Sequence, residues 1–174
     1  NRGLPTGDPP KAGLGATGKV FYGVNTKTKQ KVAAKQIDTT KITSTLAKQI
    51  ENEIKNLTKL NSPYIVKLYD YFKCGQYLYL FLEYCEDGDL KTYLDSKKGS
   101  GLCEAEALLF MKHIIEGYKE LFQHKIIHRD IKPANIVLKQ GVAKLSDFGF
   151  SRVVDNPDMS QKLTLLGSPL YTAI

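Results

Sequence analysis

The chain has 174 residues, of which 42% are hydrophobic and 25% are charged, a balance typical of a globular protein with a substantial core. No apolar run is long enough to cross a bilayer, and the N-terminus lacks the apolar stretch of a signal peptide. The net charge of +7 comes from lysines scattered along the chain, which argues against a dedicated nucleic-acid surface. The length fits one domain or two small lobes.

The three cysteines are Cys74, Cys85 and Cys103, which are widely spaced and odd in number. This pattern indicates neither a disulfide framework nor a zinc site. We therefore expect a protein of a reducing compartment, and assign it to the cytoplasm.

The first half of the chain is predicted to form strands and one helix. Residues 1–12 are rich in Pro and Gly and are predicted to be a loose tail. The runs "KVFYGVN" and "QKVAAKQID" predict two strands joined by a turn at "TKTK". Leu46, Ile50, Ile54 and Leu57 then recur every three or four residues, which predicts a helix with one buried stripe. Two more strands are predicted at "IVKLYDYF" and "YLYLFLEYC".

After "EDGD" the pattern changes to helices. The run "DLKTYLDSKK" predicts a short helix and "EAEALLFMKHIIEGYKELFQH" a long one. One apolar face of the long helix is assigned to Ala107, Met111, Ile114, Tyr118 and Leu121. A strand-rich half followed by a helical half predicts two lobes with a cleft between them, a common place for a ligand.

The segment "GLGATGKV", from Gly13 to Val20, fits three phosphate-binding patterns. A P-loop would need Ser or Thr after Lys19 and then a helix, but Val20 stands there and a strand continues. A dinucleotide fingerprint would need a strand before it and a helix after it. A glycine flap over ATP phosphates needs Val two residues after Gly18, and Val20 satisfies it. A glycine-rich hairpin without a ligand is the remaining interpretation.

Lys35 ends "VAAK" on the second predicted strand, where an exposed lysine is the ordinary interpretation. Glu53 lies three residues after Ile50, on or beside the buried stripe of the predicted helix. An unpaired carboxylate there would be costly, so Lys35 is the predicted partner. Glu51 is the alternative inward acid, but it lies off the stripe.

The segments "HRDIKPAN" and "LSDFG" set Asp130, Asn135 and Asp147 on loops bounded by short apolar runs. Carboxylate and amide oxygens suit hard cations and phosphate chemistry. We expect Asn135 and Asp147 to converge with Lys35 around one metal-bound triphosphate.

With the flap, Lys35, Glu53, "HRDIKPAN" and "DFG" in this order, the chain resembles the eukaryotic Ser/Thr protein kinase catalytic domains from about Gly13 to Tyr171. The resemblance implies an α+β, bilobal protein-kinase-like fold, with an antiparallel-sheet N-lobe carrying one main helix and a partial helical C-lobe. The predicted segments are a tail (1–12), an N-lobe (13–82), a hinge (83–88) and a partial C-lobe (89–174).

The resemblance also implies roles for residues, with ATP and Mg²⁺ as cofactors. Asp130 would orient the substrate hydroxyl and accept its proton, and Lys132 would contact the transferring phosphate, as in Ser/Thr kinases. Asn135 would act beside Asp130 and, with Asp147, hold Mg²⁺. Nucleotide binding is assigned to Gly13, Gly15, Gly18, Val20, Ala33, Lys35, Glu53, Glu83, Cys85 and Val137.

Further positions match the family by resemblance. Leu82 looks like the gatekeeper, and Tyr84 belongs to the hinge. Leu57, His128 and Phe148 match the regulatory spine. A histidine can also act as a general base, but in this motif His128 is expected to pack structurally.

The implied activity is transfer of the γ-phosphoryl group of ATP to Ser or Thr of protein substrates, with regulatory proteins as further partners and no nucleic acid. Arg129 commonly receives a phosphate on the activation segment in such kinases, with Thr164 the first candidate acceptor and Ser160 the second. The runs "FGFSR" and "TLLGSPLY" look most like the autophagy-initiating kinases.

Two departures from the family pattern favour an alternative function. "GDPPKA" stands where the first strand is expected, and Pro9 and Pro10 cannot easily pair in a sheet. The family continues past "GSPLYTAI" with an Ala-Pro-Glu motif and further helices, so the chain resembles a C-terminally truncated kinase whose long helix exposes an apolar face. The alternative is a catalytically silent fragment that binds nucleotide or protein.

Overall fold

The computed structural model describes residues 14–15, 18–97, 99–149 and 151–153. Contacts divide the described chain into two compact units. The first unit contains the described residues up to Ala47 together with Lys67–Cys85, and the second contains Lys48–Val66 together with the described residues from Glu86 onward. The chain leaves the first unit after Cys85, and the predicted lobe boundaries stay a prediction.

The first unit is built on a five-stranded antiparallel sheet, whose strands are β1 (Leu14–Gly15), β2 (Gly18–Val24), β3 (Lys31–Asp38), β4 (Leu68–Cys74) and β5 (Tyr77–Glu83). Their order in the sheet is β1-β2-β3-β5-β4. The central strand β3 pairs with β2 on one side and β5 on the other. Its Val32, Ala34 and Ile37 are buried, as is Leu80 of β5, which is why these strands carry so many apolar side chains.

The turn between β2 and β3 is organised by Asn25. The Asn25 side-chain oxygen accepts hydrogen bonds from the amides of Lys27 and Thr28, at 3.0 and 3.1 Å. The Lys29 amide donates to the Asn25 carbonyl at 2.8 Å, and Lys29 adopts a positive φ of 59°. Asn is favoured in such turns because its side chain mimics the backbone acceptor.

The helix α1 spans Ser44–Leu57, as the apolar spacing predicted. It begins after Thr43, whose hydroxyl accepts a hydrogen bond from the Leu46 amide at 3.2 Å and so satisfies one free donor of the first turn. Ile50 and Leu57 are buried on the predicted stripe.

The predicted strand at "IVKLYDYF" begins three residues late. In the second unit, Ile65 forms a parallel bridge with Leu145, and the Val66 amide donates to the Leu145 carbonyl at 2.9 Å. The pairing with β5 starts only at Leu68. Sequence pattern could not separate these pairings because both need apolar, β-branched residues.

The second unit contains α2 (Leu90–Ser96), α3 (Glu104–Gln123) and four short strands. Asp89 caps α2, because its carboxylate accepts hydrogen bonds from the amide and hydroxyl of Thr92 at 2.9 and 2.8 Å. The acidic residues Glu104 and Glu106 in the first turn of α3 suit the positive end of its dipole.

The face assigned to α3 from the sequence is not its buried face. Phe110, His113, Gly117 and Leu121 are buried, so that of the five predicted residues only Leu121 belongs to the core. The helix is apolar on more than one side, and periodicity could not decide between them. A second apolar stripe is exposed, as expected for this helix, and its members are Leu108, Met111, Ile115, Tyr118 and Phe122.

The short strands of the second unit form two antiparallel pairs. In the first pair β6 (Ile126–Ile127) lies against β9 (Arg152–Val153), and in the second β7 (Ile136–Lys139) lies against β8 (Val142–Leu145). The β7–β8 hairpin turns through Gln140 and Gly141, which both have positive φ, at 50° and 76°. This backbone twist matches two-residue hairpins.

Within the residues described, no helix combines the length and the apolar composition needed to span a bilayer.

Gly117 lies where α3 meets the backbone of the second unit. A Cβ atom there would be 2.9 Å from the Tyr64 carbonyl oxygen and 3.1 Å from Leu145 Cδ1. The Tyr64 oxygen cannot move freely, because it accepts a hydrogen bond from the Leu145 amide at 2.8 Å.

We therefore expect Gly117→Ala to lower the free energy of unfolding by about 1–3 kcal/mol, because overpacking outweighs the better helix propensity of Ala. Urea denaturation monitored by circular dichroism measures this change. The control is Lys119→Ala on the exposed face of the same helix, for which we expect a change within about 0.5 kcal/mol. A stabilised Gly117→Ala protein would contradict the close approach.

Candidate active site

The loop after β6 carries three predicted catalytic residues in a constrained backbone. Arg129 has a positive φ of 65°, which is uncommon for a residue with a side chain. A short 3₁₀ helix spans Pro133–Asn135, and Pro at its first position suits a turn that needs no amide donor there. The loop backbone therefore fixes where Asp130, Lys132 and Asn135 lie.

Asp130 is held from two sides. One of its carboxylate oxygens, Oδ2, accepts hydrogen bonds from Asn135 Nδ2 at 2.7 Å and from Lys132 Nζ at 2.9 Å. Asn135 Nδ2 also donates to the Asp130 carbonyl at 2.9 Å. Asp130 is 5% exposed and Asn135 7%. The structure thus brings the three predicted catalytic residues together, with the carboxylate oriented by an amide and a cation.

The hydrogen bonds of Asn135 also orient its amide. Both bonds to Asp130 use the nitrogen atom, so the oxygen Oδ1 takes no part in them and is the remaining polar atom of the side chain. An oxygen is the atom that a Mg²⁺ ligand must present.

Asp147 follows β8 and is linked to Asn135 through its neighbour Ser146. The amide and the hydroxyl of Ser146 both donate to the Asn135 carbonyl, each at 2.9 Å. Asp147 itself has a positive φ of 60°. The two predicted metal ligands therefore lie on loops that are joined by two hydrogen bonds.

His128 is 1% exposed and its two ring nitrogens have different partners. Nε2 lies 3.0 Å from the Ser146 carbonyl, which can only accept, and Nδ1 accepts from the Asp130 amide at 3.3 Å. This arrangement requires a neutral ring protonated on Nε2. Burial lowers the pKa of His128, against the opposing effects of the Ser146 carbonyl and the charges of Asp147 and Asp130. The ring also packs on Phe148, with centroids 4.7 Å apart.

A buried neutral imidazole with both nitrogens engaged is a structural group. This geometry supports the prediction that His128 packs structurally, and gives no support to a general-base role.

The other predicted residues of the second unit lie on regular elements. Val137 is on β7 and forms an isolated bridge with Asp89. Glu53 is buried on α1, whereas Glu51 is exposed, so Glu53 is the inward acid. Leu57 is buried one turn further along the helix.

In the first unit, the β2–β3 register sets Val20 opposite Lys35 and Tyr22 opposite Ala33. Lys35 is 6% exposed, so the interpretation of an exposed strand lysine is wrong. Lys35 and the Asn135–Asp147 pair belong to different units, and their convergence stays a prediction.

The glycine segment is described in part. Gly15 pairs with Gly18 across β1 and β2, whereas Gly13 and the predicted disturbance at Pro9 and Pro10 lie outside the described residues. A Cβ at Gly18 would lie 2.2 Å from the Gln36 carbonyl oxygen, so only glycine fits there. The glycine thus has a packing reason independent of any ligand.

The predicted hinge begins at the end of β5. The Glu83 amide donates to the Lys67 carbonyl at 2.8 Å, and its carboxylate accepts from the Lys67 amide at 3.4 Å. Tyr84 meets Tyr22 edge to face, with ring centroids 4.9 Å apart. Cys85 Sγ lies 3.9 Å from the Glu83 carbonyl.

The predicted phosphate acceptors Thr164 and Ser160 lie outside the described residues.

Sequence reasoning missed three polar residues that hold this region. Ser146 anchors the loop of Asp147, and Asn56 and Ser151 form a buried pair. A signal existed for Asn56, because it lies three residues after Glu53 on the buried side of α1. No sequence signal distinguished the two serines from ordinary loop serines.

Comparison with protein families gives a match to the protein kinase domain over residues 9–173. The chain belongs to the protein kinase domain family. Its antiparallel sheet and few helices therefore agree with the predicted kinase fold.

Several curated kinases are similar over most of this kinase chain. A probable serine/threonine-protein kinase of Dictyostelium discoideum is 36% identical over 164 residues, which is 94% of this chain and 32% of the relative. The serine/threonine-protein kinase atg1 of the same organism is 36% identical over 173 residues, covering 94% of this chain and 25% of the relative. The serine/threonine-protein kinase PLK4 of Nematostella vectensis is 36% identical over 161 residues, covering 91% and 16%. The chain thus spans a third or less of the length of each.

We expect the pKa of His128 to lie below its ordinary value of 6.5, because burial disfavours the charged ring. The ring should therefore still be neutral at pH 6.5 and gain its proton only at lower pH. The unfolded chain binds this proton first, so His128 should lower the stability of the fold as the pH falls below about 6.5. Proton–nitrogen NMR of the imidazole rings, assigned with a His128→Gln protein, measures both the pKa and the tautomer. A ring that titrates at or above 6.5, or is protonated on Nδ1, would contradict this geometry.

Proposed function

We propose that the protein transfers the γ-phosphoryl group of ATP to Ser or Thr hydroxyls of protein substrates. The observation that carries this proposal is the buried carboxylate of Asp130, held by Asn135 at 2.7 Å and Lys132 at 2.9 Å. Phosphoryl transfer depends on positioning and charge stabilisation more than on covalent chemistry by the protein. Membership of the protein kinase domain family and the names of the relatives support the same reaction.

In this mechanism Asp130 orients the attacking hydroxyl and accepts its proton, because an oriented carboxylate can hold that proton in a short hydrogen bond. Lys132, which already lies against Asp130, supplies positive charge for the phosphoryl group in transfer. The lysine at this position also favours Ser/Thr over Tyr specificity, because Tyr kinases usually lack it.

Asn135 and Asp147 are the residues that would hold Mg²⁺. Among the described residues, no group of three or more His, Cys, Asp and Glu side chains could hold a metal ion. One amide oxygen and one carboxylate nevertheless suit Mg²⁺, which commonly keeps water and phosphate oxygens as its other ligands. Bound Mg²⁺ would neutralise charge on the phosphates.

The nucleotide-binding part of the proposal rests on Gly15, Gly18, Val20, Ala33 and Lys35 of the first unit, with Glu83 and Cys85 at its end. To these the proposal adds Gly13, Val137 and Glu53. Lys35 and Glu53 are both almost fully buried, and a buried charge needs a counter-charge, which supports the ion pair predicted from the sequence.

The remaining parts of the proposal concern context. Three cysteines outside any disulfide, two of them exposed, support a reducing compartment such as the cytoplasm. Relatives named atg1 and PLK4 match at the same 36% identity, so membership of the autophagy-initiating group rests on the "FGFSR" and "TLLGSPLY" runs. Regulatory proteins are proposed as partners beside the protein substrates.

Asp130→Asn tests the central assignment. The asparagine keeps an oxygen for Asn135 and Lys132 but cannot accept the proton, so we expect the rate of transfer to fall by roughly 10²–10⁴-fold with the fold intact. Incorporation of labelled phosphate from Mg·ATP into mixed Ser/Thr peptides measures it.

The control is Asp95→Asn, an exposed carboxylate of α2, which should retain the wild-type rate. A wild-type protein that is stabilised by Mg·ATP on heating but transfers no phosphate would instead support the silent nucleotide-binding alternative. Transfer that survives Asp130→Asn within threefold would remove Asp130 from the mechanism.

Phosphorylation of Thr164 is the expected mark of the active state, because Arg129 precedes Asp130 and can receive an activation-segment phosphate. Mass spectrometry of active protein should find Thr164 occupied, and Thr164→Ala should lower the activity more than Ser160→Ala. Full activity with an unmodified Thr164 would contradict this assignment.

A further inference from the structure

Asn56 and Ser151 form a buried polar pair whose members lie 95 residues apart in the chain. Asn56 is 1% exposed on α1, and Ser151 is 2% exposed two residues after Gly149. Asn56 Nδ2 and Ser151 Oγ are 2.8 Å apart. A buried polar pair costs free energy unless it is satisfied, and the roles assigned so far do not use it.

The direction of this hydrogen bond follows from the second bond of the serine. Ser151 Oγ donates its single proton to the Phe148 carbonyl at 2.6 Å. Its oxygen must therefore accept from Asn56, which fixes the orientation of the Asn56 amide. The Ser151 amide also donates to the Phe148 carbonyl at 2.9 Å, so the carbonyl oxygen of Phe148 accepts two hydrogen bonds.

Asp147 immediately precedes Phe148, the residue whose carbonyl these bonds hold. Its positive φ of 60° is a conformation that costs energy for a residue with a side chain, and persists only where the surroundings determine it. On one side, Ser146 is fixed by two bonds to the Asn135 carbonyl. On the other side, Phe148 is fixed by Ser151, and Ser151 by Asn56.

We propose that Asn56 and Ser151 are positioning residues that hold the backbone of Asp147 in the geometry needed for its metal-binding role. We call the chain of bonds from Asn56 Nδ2 through Ser151 Oγ to the Phe148 carbonyl the 56–151 clamp. The inference rests on the proposed function for the role of Asp147, while the clamp itself is a feature of the second unit alone. Partners that orient a metal ligand are worth about 10–100-fold in metal affinity or activity.

Three variants separate positioning from packing. Asn56→Leu removes the donor at similar size, and Ser151→Ala removes the hydroxyl. The double variant replaces both partners by apolar groups, which leaves no buried polar atom unsatisfied and can be nearly neutral for stability. The matched control is Thr58→Ala, which removes the hydrogen bond that the exposed hydroxyl of Thr58, one residue after α1, donates to the Lys55 carbonyl.

Native-state hydrogen exchange of the Ser151 amide is the first readout, since it needs neither nucleotide nor metal. We expect this amide to exchange about tenfold faster or more in both single variants and the double variant, because the turn at Phe148 opens more easily. The Leu138 amide, bonded to the Gly88 carbonyl at 2.8 Å, and all amides of Thr58→Ala should be unchanged.

The second readout is the free Mg²⁺ concentration that gives half-maximal phosphate transfer. We expect it to rise about tenfold in the double variant, while the KM for the peptide substrate stays the same. Urea denaturation should show wild-type stability in the double variant, so a merely structural role predicts no change in the Mg²⁺ requirement.

Each outcome decides a different point. Wild-type exchange at Ser151 in the single variants would overturn the clamp. Accelerated exchange with an unchanged Mg²⁺ requirement would overturn its positioning role and leave a packing role. If the variants exchange the Ser151 amide faster but the wild-type protein shows no Mg²⁺-dependent transfer, the proposed function and the metal-directed part of the inference are overturned. The exchange result would then show that the clamp itself exists and that the failure lies in the proposed function.

Discussion

The carbonyl oxygen of Asn135 is the point on which the candidate active site depends. The amide and hydroxyl of Ser146 both donate to it, and so join the loop after β6 to the loop after β8. The side chain of the same asparagine holds Asp130 through its carboxylate and its carbonyl. One residue therefore fixes the predicted proton acceptor and the residue preceding the second predicted metal ligand. Because the carbonyl of Asn135 bonds to one loop and its side chain to the other, the two loops cannot move apart without breaking the hydrogen bonds from Ser146.

Burial gives these hydrogen bonds their importance. His128, Asp130 and Asn135 are all buried, and in such surroundings an unsatisfied polar group is costly. No buried side-chain nitrogen or oxygen lacks a partner in the part of the chain that the structure describes. The network can thus hold Arg129 and Asp147 in positive-φ conformations, at 65° and 60°. Such pre-organisation is what the proposed phosphoryl transfer would require for electrostatic stabilisation.

Close backbone contacts also restrict two positions of the fold to glycine. Gly18 lets β2 approach the Gln36 carbonyl, and Gly117 lets α3 approach the Tyr64 carbonyl, and a Cβ at either position would come within 3.0 Å of the backbone. The two glycines have different origins in the sequence. Gly18 belongs to a motif that predicts phosphate binding, whereas Gly117 stands inside an ordinary helical pattern. Only the structure shows that a close backbone contact is a reason for both.

The sequence by itself determined the strands and helices with strong periodicity, the inward position of Glu53 on α1, and the residue types of the "HRDIKPAN" and "DFG" segments. These are local properties, set by spacing along the chain and by the chemistry of single side chains. Tertiary structure alone decided which face of α3 is buried, why β4 begins at Leu68, and that Asn56 meets Ser151. Each of these depends on a partner far away in sequence. The local sequence around an apolar or polar residue does not determine which distant group its side chain will contact.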